Sequence, residues 1–328
     1  MATRNGTEHD APSWLVWAAL WTVYIVWGST YLAIRVTVET LPPLLAGGVR
    51  FLIAGAIVLG AIWIRKGRRA VRISRAELFS CVLIGGGLLM GGNGLVILAE
   101  RTVPSSLAAL LIAAVPLWIV LLRFISGDRV AGGTLIGVAV GFIGVAILVL
   151  PGDRPDGATL YGLGTCVLAA LIWATSSFMS PRVQLPRDPF LSTGVQMLCG
   201  AGWLFFFGLL MGEGSGIDVS TFSGRSLFAL GYLVVFGSLF AFTAYVWLLQ
   251  NAPISKVATY AYVNPVIALV LGWLILSEEM NPPMLIGAAV IVTSVAFIVT
   301  LEGRAKRVEG AEAPPALTTP ALTTSDPT

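Results

Sequence analysis

Continuous apolar runs of about 20 residues recur down the whole of this 328-residue chain. Nothing else in the sequence narrows the choice of fold so much. A run of that length, rising about 1.5 Å per residue, crosses the ~30 Å hydrocarbon core of a bilayer as a helix. Lipid offers no partner to backbone N–H and C=O groups, so a spanning segment is either a helix or part of a closed barrel. These runs are unbroken rather than alternating, which selects helices. The composition agrees: 56% of residues are hydrophobic and 11% charged, against about 25% charged in a soluble domain.

Ten spans are predicted, at 14–36, 43–64, 78–99, 104–125, 132–151, 160–180, 190–211, 226–250, 256–277 and 282–301. With residues 1–13 placed in the cytoplasm, 15 of the Lys and Arg residues fall on inner segments and 4 on outer ones, with Arg50 inside a span. The short loop RKGRRAVRISR (65–75) dominates this positive-inside bias. It reads as an orientation signal rather than a nucleic-acid site. The expected location is the inner (cytoplasmic) cell membrane, with both termini cytoplasmic. Residues 302–328 end in the Pro- and Thr-rich stretch APPALTTPALTTSDPT and are predicted to be a disordered tail.

The chain repeats itself. VPSSLAALLIAAVP (103–116) aligns with APISKVATYAYVNP (252–265), setting Pro116 on Pro265. TLIGVAVGFIGVAIL (134–148) aligns with MLIGAAVIVTSVAFI (284–298), and IVWGSTYLAI (25–34) with LIWATSSFMS (171–180), setting Trp27 on Trp173. The two copies, 14–151 and 160–301, hold five spans each. An odd number of spans makes the second copy insert upside down. The predicted fold is therefore all-α, with ten transmembrane helices arranged as two inverted five-helix repeats, a layout common among secondary transporters.

Polar residues inside the spans form a short set of substrate-binding candidates: Trp27, Ser29, Thr30 and Tyr31 on span 1, Arg50 on span 2 and Asn93 on span 3. Span 6 adds Trp173 and Thr175, span 7 Gln196, span 8 Tyr245, and span 9 Tyr260 and Asn264. A charge within a span usually faces a bundle interior or an aqueous cavity. Arg50 either faces substrate in that way or serves structure, reaching the outer interface or pairing with Glu100. Glu100 is the acid closest to hydrocarbon, and it reads as an interfacial ion-pair partner or a gating group. Pro116 and Pro265 each remove a backbone hydrogen bond, which gives a packing kink or a gating hinge. Tyr260 and Asn264, four residues apart, share one helix face, as core or as a cavity wall.

The chemistry of other classes is missing. The single histidine, His9, lies in the N-terminal tail, and no span carries an Asp or a nucleophile–base pair, so no enzyme is expected. Cys81, Cys166 and Cys199 are isolated in apolar runs and read as packing. GGGLLMGGNG (85–94) and the glycines at 133, 137, 141 and 144 lie within spans and lack a phosphate-loop lysine, so they read as close helix contacts. No metal or cofactor is implied. The expected partners are a small-molecule substrate and the lipid bilayer, with the chain a monomer or homodimer.

The segments WGSTYLAIR (27–35), PPLLAGGVRFLIAG (42–55), GNGLVILAER (92–101) and YAYVNPVIALVLGW (260–273) resemble the drug/metabolite transporter superfamily, EamA family, and within it the YedA-type inner membrane exporters. The resemblance spans about residues 14–301. It implies a central cavity between two halves and export of metabolites, amino acids or drugs by alternating access; the same fold also admits import. The smaller four-span relatives carry a proton-coupling glutamate on their first span. Here Trp27 to Tyr31 occupy that region.

Overall fold

The computed structural model describes residues 12–150, 158–215 and 217–312; their regular structure is helical, with no strand among them. Ten helical spans follow one another: α1 Ser13–Thr37, α2 Pro43–Lys66, α3 Arg75–Ala99, α4 Ser105–Ile125, α5 Gly132–Val149, α6 Leu160–Met179, α7 Pro189–Leu210, α8 Gly224–Asn251, α9 Tyr260–Leu276 and α10 Pro282–Glu312. Nine of these are long and apolar enough to cross a membrane. The 17-residue α9 is shorter and is preceded by the helical turn Ile254–Val257.

Local chemistry sets the ends. Pro43 and Pro189 occupy the first turns of α2 and α7, where the missing N–H costs nothing. Ser74 and Glu77 form a capping box at α3. α10 continues past the expected end at 301 to Glu312. Glu, Ala, Lys and Arg in LEGRAKRVEGAE are good helix formers, in keeping with that extension. The remaining tail residues, 313–328, and residues 1–11 lie outside the described segments.

The spans are not uniform. In α3 the stretch Gly86–Gly94 is π-helical, and in α8 so is Leu233–Phe240. α4 breaks at residues 113–114, between Ser105–Ile112 and Val115–Ile125. Pro116 therefore starts a new segment instead of kinking a continuous one. Pro265 lies inside α9, six residues beyond the break at 258–259. The two prolines align in sequence but occupy different helical settings.

The main packing pairs are α2 on α7, α5 on α10, α4 on α9, α1 on α8 and α9, α6 on α3 and α4, and α3 on α7, with a smaller α2–α8 contact. Small residues allow the closest of these. At the α5–α10 seam, Gly137, Gly141 and Gly144 face Ile298, Ser294 and Ile291, and the Ser294 hydroxyl donates to the Gly137 carbonyl. The largest apolar core joins α4, α5, α6 and α10 through Leu107, Leu110, Leu117, Leu163 and Ile291. Cys81 and Cys166 are buried and Cys199 partly so, all as free thiols.

On the face expected to be cytoplasmic, Lys66 at the end of α2 holds Asp188, the N-cap of α7, at 2.7 Å. Asp188 also accepts from the Phe190 and Leu191 amides at 3.0 and 3.2 Å. The Lys66 hydrogen bond, aided by these amides, holds the Asp188 carboxyl below its usual value. Its stabilisation is therefore full above the ordinary carboxylate range near ~4 and is lost as the pH falls through the depressed folded value. Thermal melts in detergent from pH 6 to pH 3 are expected to show a shallower acid decline for Asp188→Ala than for the parent chain.

Candidate functional site

Near the middle of α1, Trp27 anchors a cluster drawn from four helices. Its ring centroid lies 5.1 Å from that of Tyr245 on α8 and 5.3 Å from that of Tyr260 on α9, and the two tyrosine rings are 5.7 Å apart. The Trp27 indole N–H donates to the Gly237 carbonyl at 3.2 Å. That carbonyl belongs to the π-helical stretch of α8, where the wider turn disturbs the usual i to i−4 pairing. The Ser29 hydroxyl bonds the Tyr232 hydroxyl at 2.6 Å, and Thr30 bonds back to the Trp27 carbonyl at 2.6 Å. Asn264 is oriented so that its amide nitrogen donates to the Tyr24 and Tyr260 carbonyls at 3.3 Å each. The Tyr24 hydroxyl is hydrogen-bonded to Thr259 at the break before α9.

Arg50 enters this cluster from α2. It is 5% exposed. Its Nε donates to the Ser238 hydroxyl at 2.9 Å, and its guanidinium carbon stands 4.7 Å from the Phe51 ring centre. A methyl group on Gly237 would touch both Thr30, at 3.1 Å, and Arg50 Nη2, at 3.3 Å, so Arg50, Thr30 and the Trp27 acceptor meet at one point. Ser238 lies near the middle of α8. The side chain is buried against α8, in place of the alternative of reaching to the outer interface.

The alternative of an Arg50–Glu100 ion pair is also not seen among the described residues. Glu100 is fully buried, and neither carboxylate oxygen has a hydrogen-bond partner. The cation beside it is Arg35, whose guanidinium donates to the Glu100 backbone carbonyl. Helix geometry accounts for the difference: Arg50 turns toward α8, while Glu100 closes the end of α3 against α1 and α6. Tyr31 lies between the two regions, in electrostatic reach of Glu100 and of Tyr260.

The remaining candidates fall elsewhere. Trp173 on α6 packs on Gly92 of the π-helical stretch of α3, where an added methyl would come within 2.4 Å of the indole. Asn93 is half-buried in that stretch. Gln196 donates to Ser192 at 2.9 Å on its own helix and lies at the α3–α7 contact. Thr175 is exposed on the same side of α6 as Leu168 and Met179 and bonds to the Leu171 carbonyl at 2.8 Å. It lies on that exposed side of α6 and is not part of the cluster.

Sequence reasoning missed Gly237, Ser238 and Tyr232. One signal was available: Gly237 stands 145 residues after Gly92, close to the 146-residue step from Trp27 to Trp173. It also missed two caps at the other face. Glu213 accepts from the Leu44 and Leu45 amides at 3.1 and 2.9 Å. Glu278 accepts from the amides and hydroxyls of Ser105 and Ser106 at the start of α4. An open pocket of about 270 Å³ among the loops at this face, lined in part by Arg101, Glu213 and Asp218, is separate from the aromatic cluster.

Comparison with known proteins places this arrangement. The EamA-like transporter family model matches twice, over residues 13–150 and 160–300. The chain is 34% identical over 285 residues to YedA of Escherichia coli strain K12, described as an uncharacterized inner membrane transporter, covering 86% of this chain and 90% of that one. It is 24% identical over 280 residues to a protein of the same strain described as a probable amino-acid metabolite efflux pump, covering 83% of this chain and 90% of that one. A solved crystal structure aligns with a TM-score of 0.61 at 22% identity, over 89% of this chain and 98% of the other, which shows a shared fold. With two family matches covering nearly all of its helices, the chain belongs to the EamA-like transporter family.

Proposed function

We propose that the chain is a secondary transporter of the inner membrane, both termini cytoplasmic, exporting small metabolites by alternating access. Its two five-helix halves, 14–151 and 160–301, have opposite orientation. One observation carries the reading. Exchange each helix with the one five places along, and the main packing pairs map onto packing pairs: α2–α7, α5–α10 and α4–α9 are each their own image, α1–α9 becomes α6–α4, α1–α8 becomes α6–α3, and α3–α7 becomes the smaller α8–α2 contact. The exchange also relates the contact of Trp27 with Gly237 to that of Trp173 with Gly92. Two near-equivalent halves give inward-open and outward-open forms of similar energy, as alternating access needs. Both π-helical stretches lie on this exchange, in α3 and α8. The name of the efflux-pump relative supports the outward direction.

The test is counterflow in proteoliposomes with amino acids, small carboxylates, amides and cationic dyes. Flux of at least one class is expected. Trp27→Ala is expected to lower that flux by about tenfold or more, with the protein still monodisperse in detergent. No flux of any solute from folded protein would remove the transporter reading.

A further inference from the structure

We infer that Arg50 is the anchor for the carboxylate of the transported solute, and that the solute is a small monocarboxylic acid whose apolar or aromatic body rests on Trp27, Tyr245 and Tyr260. This rests on the transporter reading above and names its substrate class. The starting point is an unanswered charge. Arg50 is 5% exposed, and its Nη1 has no acceptor. Among the described residues no carboxylate pairs with it: the ion pairs Lys66–Asp188, Arg123–Asp128, Arg123–Glu302, Arg182–Asp128 and Arg225–Glu39 all join other residues. A guanidinium buried within a span without a counter-ion is strongly unfavourable, and such groups mark substrate pathways.

The head group is nonetheless held. Ser238 accepts from Nε, and the Phe51 ring lies beneath the guanidinium carbon. Those contacts hold its plane, and no protein acceptor takes Nη1. A planar guanidinium edge matches a carboxylate with two parallel hydrogen bonds. Charge sets the class further. Arg50 is the one cation at this cluster among the described residues, which balances one negative charge and leaves a phosphate dianion in excess. Trp27 reaches the same residue, Gly237, through its indole N–H, and the Tyr245 and Tyr260 rings pack on Trp27, an aromatic surface without an acid.

The experiment compares matched acids and amides on the purified protein in proteoliposomes: acetate, isovalerate and phenylacetate against acetamide, isovaleramide and phenylacetamide. The wild type is expected to take phenylacetate at least about tenfold better than phenylacetamide, and isovalerate better than acetate. Arg50→Gln is expected to abolish the acid-over-amide preference, and Arg50→Lys to weaken half-saturation for phenylacetate by about tenfold while keeping the preference. Equal handling of acid and amide by the wild type overturns the inference without any variant. So does an Arg50→Gln protein that keeps the preference. If neutral or cationic solutes move and no carboxylate does, the carboxylate inference falls while the transporter reading stands. If nothing moves, the transporter reading falls first.

Discussion

Glu278→Ala is expected to destabilise the fold by about 2–4 kcal/mol, read as a clear drop in the midpoint of thermal unfolding in detergent. The reason lies at the start of α4. Ser105 and Ser106 are fully buried there, and their amides have no partner within the first helical turn. The Glu278 carboxylate answers four donors at once: the Ser105 amide at 2.7 Å and hydroxyl at 2.8 Å, the Ser106 amide at 3.0 Å, and the Ser106 hydroxyl. Hydrogen bonds to an ionised acceptor at a helix N-terminus are among the stronger ones. Two features place the carboxylate. Ser277 adopts a left-handed conformation, φ 53° and ψ 34°, which turns the chain sharply back at the end of α9. Gly272 leaves room, since a methyl there would come within 2.4 Å of a Glu278 oxygen. Glu278→Gln is expected to recover only part of the loss, because its amide nitrogen presents N–H groups to a site made of donors. A melting midpoint for Glu278→Ala within a degree of the parent chain would show that the cap contributes little.

The second large effect is expected at Gly85. A methyl there would stand 2.6 Å from the Gln196 carbonyl oxygen and 3.1 Å from its Cα. These are backbone atoms of α7, so no side chain can swing aside, and the only relief is separation of α3 from α7. Gly85→Ala is expected to cost about 1–3 kcal/mol, the usual range for overpacking. Gly85→Leu is expected to yield little monodisperse protein on size-exclusion chromatography. Gly164 and Gly60 are the internal controls, with no heavy atom within 4 Å of an added methyl. Alanine at either is expected to leave stability unchanged or raise it by up to about 1 kcal/mol, because alanine favours the helix. Equal behaviour of Gly85→Ala and Gly164→Ala would show that the α3–α7 contact is looser than its geometry indicates.

These predictions separate what is legible along the chain from what is not. Span positions were legible because hydrophobic length is a local, one-dimensional property. The predicted starts and ends agree with the helices to within a few residues for nine of the ten spans. The tenth, α10, runs on to Glu312 because its charged extension is itself a good helix former. The duplication was legible as a repeat of motifs, and the family model finds it again at 13–150 and 160–300. Trp27, Tyr245, Tyr260 and Asn264 were legible as polar or aromatic residues in apolar surroundings, and the structure brings them together. Thr175 satisfied the same criterion and is exposed, because a criterion blind to helix rotation cannot tell the inside of a bundle from its exposed side.

The sequence by itself determined that this is a helical membrane protein, where its spans lie, and that its two halves are related, since each follows from apolar length or from motif repetition. Tertiary structure alone decided the partners. It turned Arg50 to Ser238 on α8 and away from Glu100. It left Glu100 sealed beside Arg35. It sent Glu278 across to cap a helix more than 170 residues earlier in the chain. It also placed Pro116 at a helix start and Pro265 inside one, although the two align. The physical reason is common to all four. Depth in the bilayer and apolar length are set by residues close together along the chain. The rotation of each helix about its axis, and so the partner each polar group meets, is set by packing against helices far away in sequence.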